Sequence, residues 1–160
     1  MTLRINPPEV VEVYFGITVA VPLIPTASEL NAFTDVTPDS RGMPDTPGTG
    51  QAADASDLSS KFNKRQAASF GGDNLTAEYY QDSGPDVAYD LLIQGTAGFF
   101  AIARYGLAAA GTWAIADEVW LYEGTILARA EGQPGRDELE FFICEFAITE
   151  PPLEKFPLAA

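Results

Sequence analysis

The feature that most constrains the fold is a segment near the C-terminus that is apolar on both faces of a strand. Residues 138–149 alternate as a β-strand does, with successive side chains on opposite faces. One face would carry Phe142, Cys144, Phe146 and Ile148, and the other would carry Leu139, Phe141 and Ile143. A strand with two apolar faces must be covered on both sides. We expect the core to cover one face and a partner surface to cover the other.

Other segments also favour a mainly β fold. They are rich in valine, isoleucine and aromatic residues, or they alternate apolar and polar residues, as strands do. The predicted strands are 9–24 (with a hairpin about Gly16 as an alternative), 74–81, 98–105 and 118–129.

One α-helix is predicted from about Pro85 to Gln94. Proline suits the first helical position, with Ser83 or Gly84 just before it, and Gly95 would end the helix. A shorter helical turn is predicted after residue 25, capped by Thr26 or Ser28.

A long loop separates the first strand from the rest. Residues 38–50 contain six Gly or Pro among thirteen, a density that excludes a core strand or helix. We expect a single domain over 1–160, with a loop at about 38–65 that is mobile in the monomer and orders on assembly.

The charge excludes several partners. The chain has 23 acidic and 9 basic residues, a formal net charge of −14, so it repels polyanions such as nucleic acid. Residues 1–8 lack the apolar core of a signal peptide, and the apolar stretches are too short to span a bilayer. We expect no membrane partner and synthesis in the cytoplasm.

No catalytic constellation is evident. The chain has no histidine, which removes Ser-His-Asp and Cys-His catalysis and histidine metal sites. Cys144 lies among phenylalanines and is expected to be a buried, unreactive thiol. The turn Asp82–Pro85 is interpreted as a helix cap. We predict no enzyme activity, no catalytic residues, no cofactor and no metal.

One local feature indicates self-association. Three of the nine positive charges fall within five residues around Phe62, in a chain that is otherwise acidic. Two interpretations fit this pattern equally well: a solvated basic turn, or a contact with an acidic neighbour. The candidate contact residues are Leu58, Lys61, Phe62, Lys64 and Arg65.

Several segments occur in order along residues 25–105. They read PTASELNA then TDVT, DLSSKFNK, NLTAEYYQD, and GTAGFFA leading into a strand. Together these segments resemble the major tail proteins of long-tailed actinobacterial bacteriophages. The resemblance implies a tail tube protein with a β-sandwich or barrel-like core, one flanking helix and a long inter-subunit loop. It also implies hexameric rings that stack into a tube around a DNA passage, with tape measure and terminator proteins as partners in the virion.

DNA must slide through such a passage, so we expect a net negative lumen. From Asp117 to the end there are ten acidic and three basic residues, and the lumen-facing candidates are Glu123, Glu131, Glu138 and Glu140. The alternative functions are another phage structural protein, such as a tail terminator or head-tail joining protein, and a small β-barrel binding module. In the latter, Trp113 and Trp120 would line a ligand site.

Overall fold

The computed structural model describes residues 11–22, 24–46, 51–54, 65–69 and 74–159, and in 51–54 and 65–69 it describes the backbone alone. Antiparallel strands dominate, as the sequence predicts. The strands are β1 (Glu12–Gly16), β2 (Thr34–Asp35), β3 (Gln51–Asp54), β4 (Arg65–Ser69), β5 (Leu75–Tyr80), β6 (Ala97–Ala103), β7 (Glu118–Glu131), β8 (Phe141–Ile148) and β9 (Leu153–Pro157). The helices are α1 (Ala27–Asn31) and α2 (Val87–Leu91).

Seven strands form one antiparallel sheet in the order β2-β1-β6-β7-β8-β5, with β9 also paired to β7. The 14-residue strand β7 organises the sheet. Its first half pairs with β6 and β9, and its second half pairs with β8. The register shifts between Ile126 and Ala128, at the boundary of the two halves. A bulge there increases the local twist and bends the strand.

The sheet curls around one core. Phe15 of β1 lies 6.4 Å from Phe146 of β8, ring centre to ring centre, although β6 and β7 separate these strands in the sheet. Phe100 packs against both rings, at 4.9 and 5.0 Å. The alternation predicted for β8 is confirmed on this side, where Phe142, Cys144 and Phe146 are buried. The result is the predicted β-sandwich-like arrangement.

A second apolar layer covers the outer face of β1, β6 and the first half of β7. Phe99 and Leu121 are buried there, together with Leu30 of α1 and Trp113. The Asn31 side chain holds the Trp113 backbone, accepting from its N–H at 2.8 Å and donating to its carbonyl at 2.9 Å. In this half of the sheet, therefore, the chain itself covers the second face. The expectation of a partner surface concerned residues 138–149, and it stays a prediction.

Both helices begin at side-chain caps. Thr26 and Glu29 form a capping box at α1, one of the two predicted caps. The N-cap of α2 is Asp86, whose carboxylate accepts from the backbone N–H groups of Tyr89 and Asp82 at 2.9 and 3.1 Å. The predicted start at Pro85 is thus wrong by two residues, because the aspartate cap outweighs the proline preference. The helix also ends earlier than predicted, at Leu91.

The long first strand predicted at 9–24 is wrong beyond Gly16. A Cβ at this glycine would overlap the ring of Phe33, so the close approach requires glycine. The chain then leaves the sheet, and Ile17, Val21 and Ile24 are 51–67% exposed. There is no hairpin about Gly16 in the described residues. The other predicted strands are confirmed, with ends that differ by up to three residues.

The predicted loop at 38–65 is more structured than expected. Residues 39–46, which we name the strap, lie along the free edge of β5. Arg41 donates its backbone N–H to Glu78, and Asp45 exchanges two backbone hydrogen bonds with Thr76. Main-chain hydrogen bonds hold this part to the sheet, and its mobility in the monomer stays a prediction. Further along, β3 and β4 pair as a two-stranded antiparallel sheet. Residues 55–64 lie outside the described residues.

Candidate assembly surfaces

The outer face of the sheet differs between its two halves. On β6 and the first half of β7 it is buried, whereas on β5, β8 and the second half of β7 most side chains are half-buried or exposed. We name this second part the open face. Its cross-strand rows follow from the register and consist of Thr76, Glu145 and Ala128 in one row and Glu78, Ile143 and Ala130 in the next.

The charges on the open face are mainly negative. Glu78 and Glu145 project from it, and Glu78 is paired with Arg41 at 3.3 Å. Arg129 of β7 points to the opposite side of the sheet. There its guanidinium donates to the Tyr89 carbonyl and stacks on the Tyr89 ring, 3.7 Å from the ring centre. Arg129 therefore contributes no positive charge to the open face.

The four predicted lumen carboxylates fall into two places. Glu131 ends β7, while Glu138 and Glu140 lie in the connection to β8, and all three are exposed. Glu123 lies eight residues before Glu131 on β7, which corresponds to roughly 26 Å along a strand. The structure thus brings three of them together at one end of the open face and separates the fourth.

Arg41 connects the strap to this end of the sheet. Its guanidinium lies 4.0 Å from the centre of the Phe141 ring and 3.8 Å from the Glu138 carboxylate, besides its contact with Glu78. Phe141 is buried although its side chain is on the outer face. Sequence reasoning missed Arg41, because a single arginine in a Gly/Pro-rich segment carries no periodic signal.

A groove lies on the outer face beside Glu123. It has a volume of about 320 Å³ and is lined by Pro22, Phe99, Leu121, Glu123, Glu150, Pro151 and Leu153. Phe99 and Leu121 are buried and form an apolar floor. The backbone carbonyl of Glu123 accepts from the Thr149 N–H at 3.0 Å, which fixes the two carboxylate-bearing segments side by side.

The predicted contact residues are not placed by the structure. Leu58, Lys61, Phe62 and Lys64 lie outside the described residues, and Arg65 begins β4, of which only the backbone is described. Glu78 and Glu145 were not among the lumen-facing candidates predicted from the sequence. The alternation of β5 and β8 nevertheless indicates that both side chains point outward.

The groups considered for chemistry are buried or isolated. Burial raises the pKa of the Cys144 thiol to about 12, as expected for an unreactive cysteine. Both tryptophans, Trp113 and Trp120, belong to the core, so the ligand site proposed for them is wrong. Within the described ranges, no group of three or more His, Cys, Asp or Glu could hold a metal ion. No helix among those residues is long and apolar enough to cross a membrane.

The structure is a curled antiparallel sheet in which the chain covers one half of the outer face and leaves the other half open. Residues 4–160 match the family described as phage tail tube protein. The chain therefore belongs to the phage tail tube protein family and is a structural component of the virion tail. No curated protein matches the chain.

Proposed function

We propose that the chain is the repeating subunit of the tail tube and assembles into hexameric rings that stack around the DNA passage. The observation that carries this proposal is the open face. Because the chain itself covers the other outer half, β5, β8 and the second half of β7 are left to form the channel wall. Side by side, six such faces would enclose a continuous barrel.

The charges of the open face suit a passage through which DNA slides. Glu78 and Glu145 project from it, and Glu131, Glu138 and Glu140 lie at one end. Repulsion between these carboxylates and the phosphates is screened within about 8 Å at physiological salt. A negative wall would thus prevent tight binding without stopping passage. DNA, tape measure protein and tail terminator are the partners this role implies, and the host cytoplasm is the place of synthesis.

Contacts between subunits would come from the segment after the strap. The predicted residues Leu58, Lys61, Phe62, Lys64 and Arg65 combine apolar and basic side chains in an acidic chain. A contact between two different surfaces of the same chain can repeat from one subunit to the next without limit. Stacked rings extend in this way. This contact would be head-to-tail between rings.

Sedimentation and negative-stain electron microscopy of the purified protein over a concentration series test the proposal. We expect six-fold rings at intermediate concentration and tubes at high concentration. A monomer at every concentration and salt would contradict the proposal. A single closed ring that never stacks would favour the alternative of a terminator or joining protein.

The channel charge is tested separately by titrating the unassembled protein with duplex DNA at low salt. We expect no binding, since the net charge of −14 opposes it. Tight binding that weakens steeply with salt would contradict a sliding wall.

A further inference from the structure

We propose that the groove beside Glu123 receives the segment Lys61–Arg65 of a second copy of this chain, with Phe62 on the apolar floor and the cations against Glu123 and Glu150. This inference rests on the proposed function, because it assigns the receptor for the tube's subunit contact. The groove residues come from described parts of the chain, and the segment is identified by its sequence.

The groove has the shape and lining of a site for one large apolar side chain. Its volume of about 320 Å³ is at the lower end of the range of roughly 300–1,000 Å³ that protein pockets cover. Phe99, Leu121 and Leu153 supply the apolar lining, and Pro22 and Pro151 stiffen two sides. An aromatic anchor in such a pocket is the usual centre of a protein interface.

The rim of the groove is negatively charged and is suited to bind a cation. Its two carboxylates, Glu123 and Glu150, form no ion pair with any residue in the described part of the chain. Between Glu150 and Leu153 the chain contains two prolines and no basic residue. An apolar ligand flanked by positive charges would therefore be favoured over a neutral or acidic one.

Four of the other cations have partners within the chain. Arg41 and Arg129 stack on Phe141 and Tyr89, Arg104 hydrogen-bonds Thr46 and faces Trp120, and Lys155 lies 4.0 Å from Glu118. These are four of the nine basic residues. The densest group in the sequence is Lys61, Lys64 and Arg65, and it surrounds the aromatic residue Phe62. The chain thus carries the ligand that its own groove is suited to bind.

A second copy is the favoured occupant because the groove and the segment are different surfaces of one chain. Binding of one to the other between copies is head-to-tail and can continue without limit. Docking within the same chain would satisfy the same charges but would not link subunits. The experiment below separates these two arrangements.

The first test is charge reversal. Glu123→Lys with Glu150→Lys (the groove variant) and Lys61→Glu with Lys64→Glu and Arg65→Glu (the segment variant) should each raise the concentration needed for tubes at least about tenfold. The matched control reverses two exposed carboxylates away from the groove, Asp82→Lys with Asp90→Lys, and should assemble as the wild type does. Circular dichroism and melting curves establish that every variant is folded.

Glu150→Lys alone separates the groove from the channel. Glu123 is also a lumen candidate, whereas Glu150 is not, so an assembly defect in Glu150→Lys points to the groove. Phe62→Ala provides a charge-neutral check and should also raise the assembly concentration. Normal tubes from both of these variants would overturn the proposal.

Mixing the variants distinguishes binding between copies from docking within one copy. In the groove variant both sites are positive, and in the segment variant both sites are negative. In an equimolar mixture each segment therefore meets a groove of opposite charge on the other variant, and tubes that contain both variants should form. Combining both sets of changes in one chain should also restore tubes, because the charges are exchanged. Absence of tubes from the mixture, or no rescue in the combined variant, would overturn the proposal.

The failure of this inference differs from the failure of the proposed function. Wild-type tubes together with normally assembling groove variants would overturn the groove assignment and leave the tube subunit intact. Absence of tubes from the wild type at every concentration would overturn both.

Discussion

Replacing Arg41 by alanine should loosen the strap from the edge of β5. The guanidinium joins three partners, because it stacks 4.0 Å from the Phe141 ring centre and lies 3.3 and 3.8 Å from Glu78 and Glu138. Besides this side chain, backbone hydrogen bonds hold the strap: the Asp39 carbonyl accepts from Tyr80, Arg41 donates to Glu78, and Asp45 exchanges two with Thr76. The strap would remain bound, but its local opening would become easier.

The size of the effect follows from the exposure of the partners. A partly exposed cation–π contact is worth about 0.5–1 kcal/mol. The Glu78 and Glu138 side chains are 45% and 55% exposed, so each ion pair belongs near the low end of about 0.2–1 kcal/mol. The total is about 1 kcal/mol, which corresponds to a melting temperature lower by about 2–4 °C. Arg41→Lys should lose about half of this, because it keeps the charge but not the planar stacking.

Hydrogen exchange, on protein kept below its assembly concentration, measures this effect locally. The amides of Thr76 and Tyr80 donate to strap carbonyls and should exchange about fivefold faster in Arg41→Ala. The amides on the other side of β5, which pair with β8, are the internal control and should not change. Unaltered exchange at Thr76 and Tyr80 would refute the reasoning. An effect on stability that vanishes in 1 M salt would show that ion pairs, and not stacking, dominate.

Three further outcomes follow from single residues elsewhere in the fold. Cys144, whose pKa burial raises to about 12, should resist a thiol reagent at pH 8 in the folded protein and react only on unfolding, as followed by absorbance. Gly124→Ala should destabilise by at least about 2 kcal/mol in urea, because the new Cβ would overlap the Ala147 carbonyl, whereas Gly84→Ala meets nothing within 4 Å and should be near neutral. Hydrogen bonds from the Thr26 and Ala20 backbone N–H groups lower the pKa of Glu29, so its contribution to stability is present above the ordinary glutamate pKa of about 4.3 and is lost on acidification below it; Glu29→Gln should flatten the stability curve in that range.

The strands could be predicted from sequence because burial imposes a period of two. In β5 and β8 the buried residues, such as Leu75 and Phe146, alternate with outward ones, and the two strands pair as that alternation requires. The same alternation indicates that Glu145 points outward. Whether an outward side chain is exposed depends on which half of the sheet is covered. That coverage comes from distant segments such as α1, which local patterns do not specify.

The errors arose where main-chain bonding or exposure decides the structure. Valine and isoleucine favour strands, but Ile17 and Val21 lie on the surface after the chain leaves the sheet. The strap is held by backbone hydrogen bonds, which carry almost no side-chain signature, so its Gly/Pro content indicated only a loop. The alternative of a binding module placed Trp113 and Trp120 in a ligand site, yet both pack in the core. Residue type alone does not distinguish an aromatic residue buried in the core from one that binds a ligand.

The most direct test of the account is a cryo-electron microscopy reconstruction of tubes assembled from the wild-type protein. The account predicts six subunits per ring and a channel wall built from β5, β8 and the second half of β7, with Glu78 and Glu145 facing the channel. A wall formed by another surface, or one dominated by lysine and arginine, would contradict it.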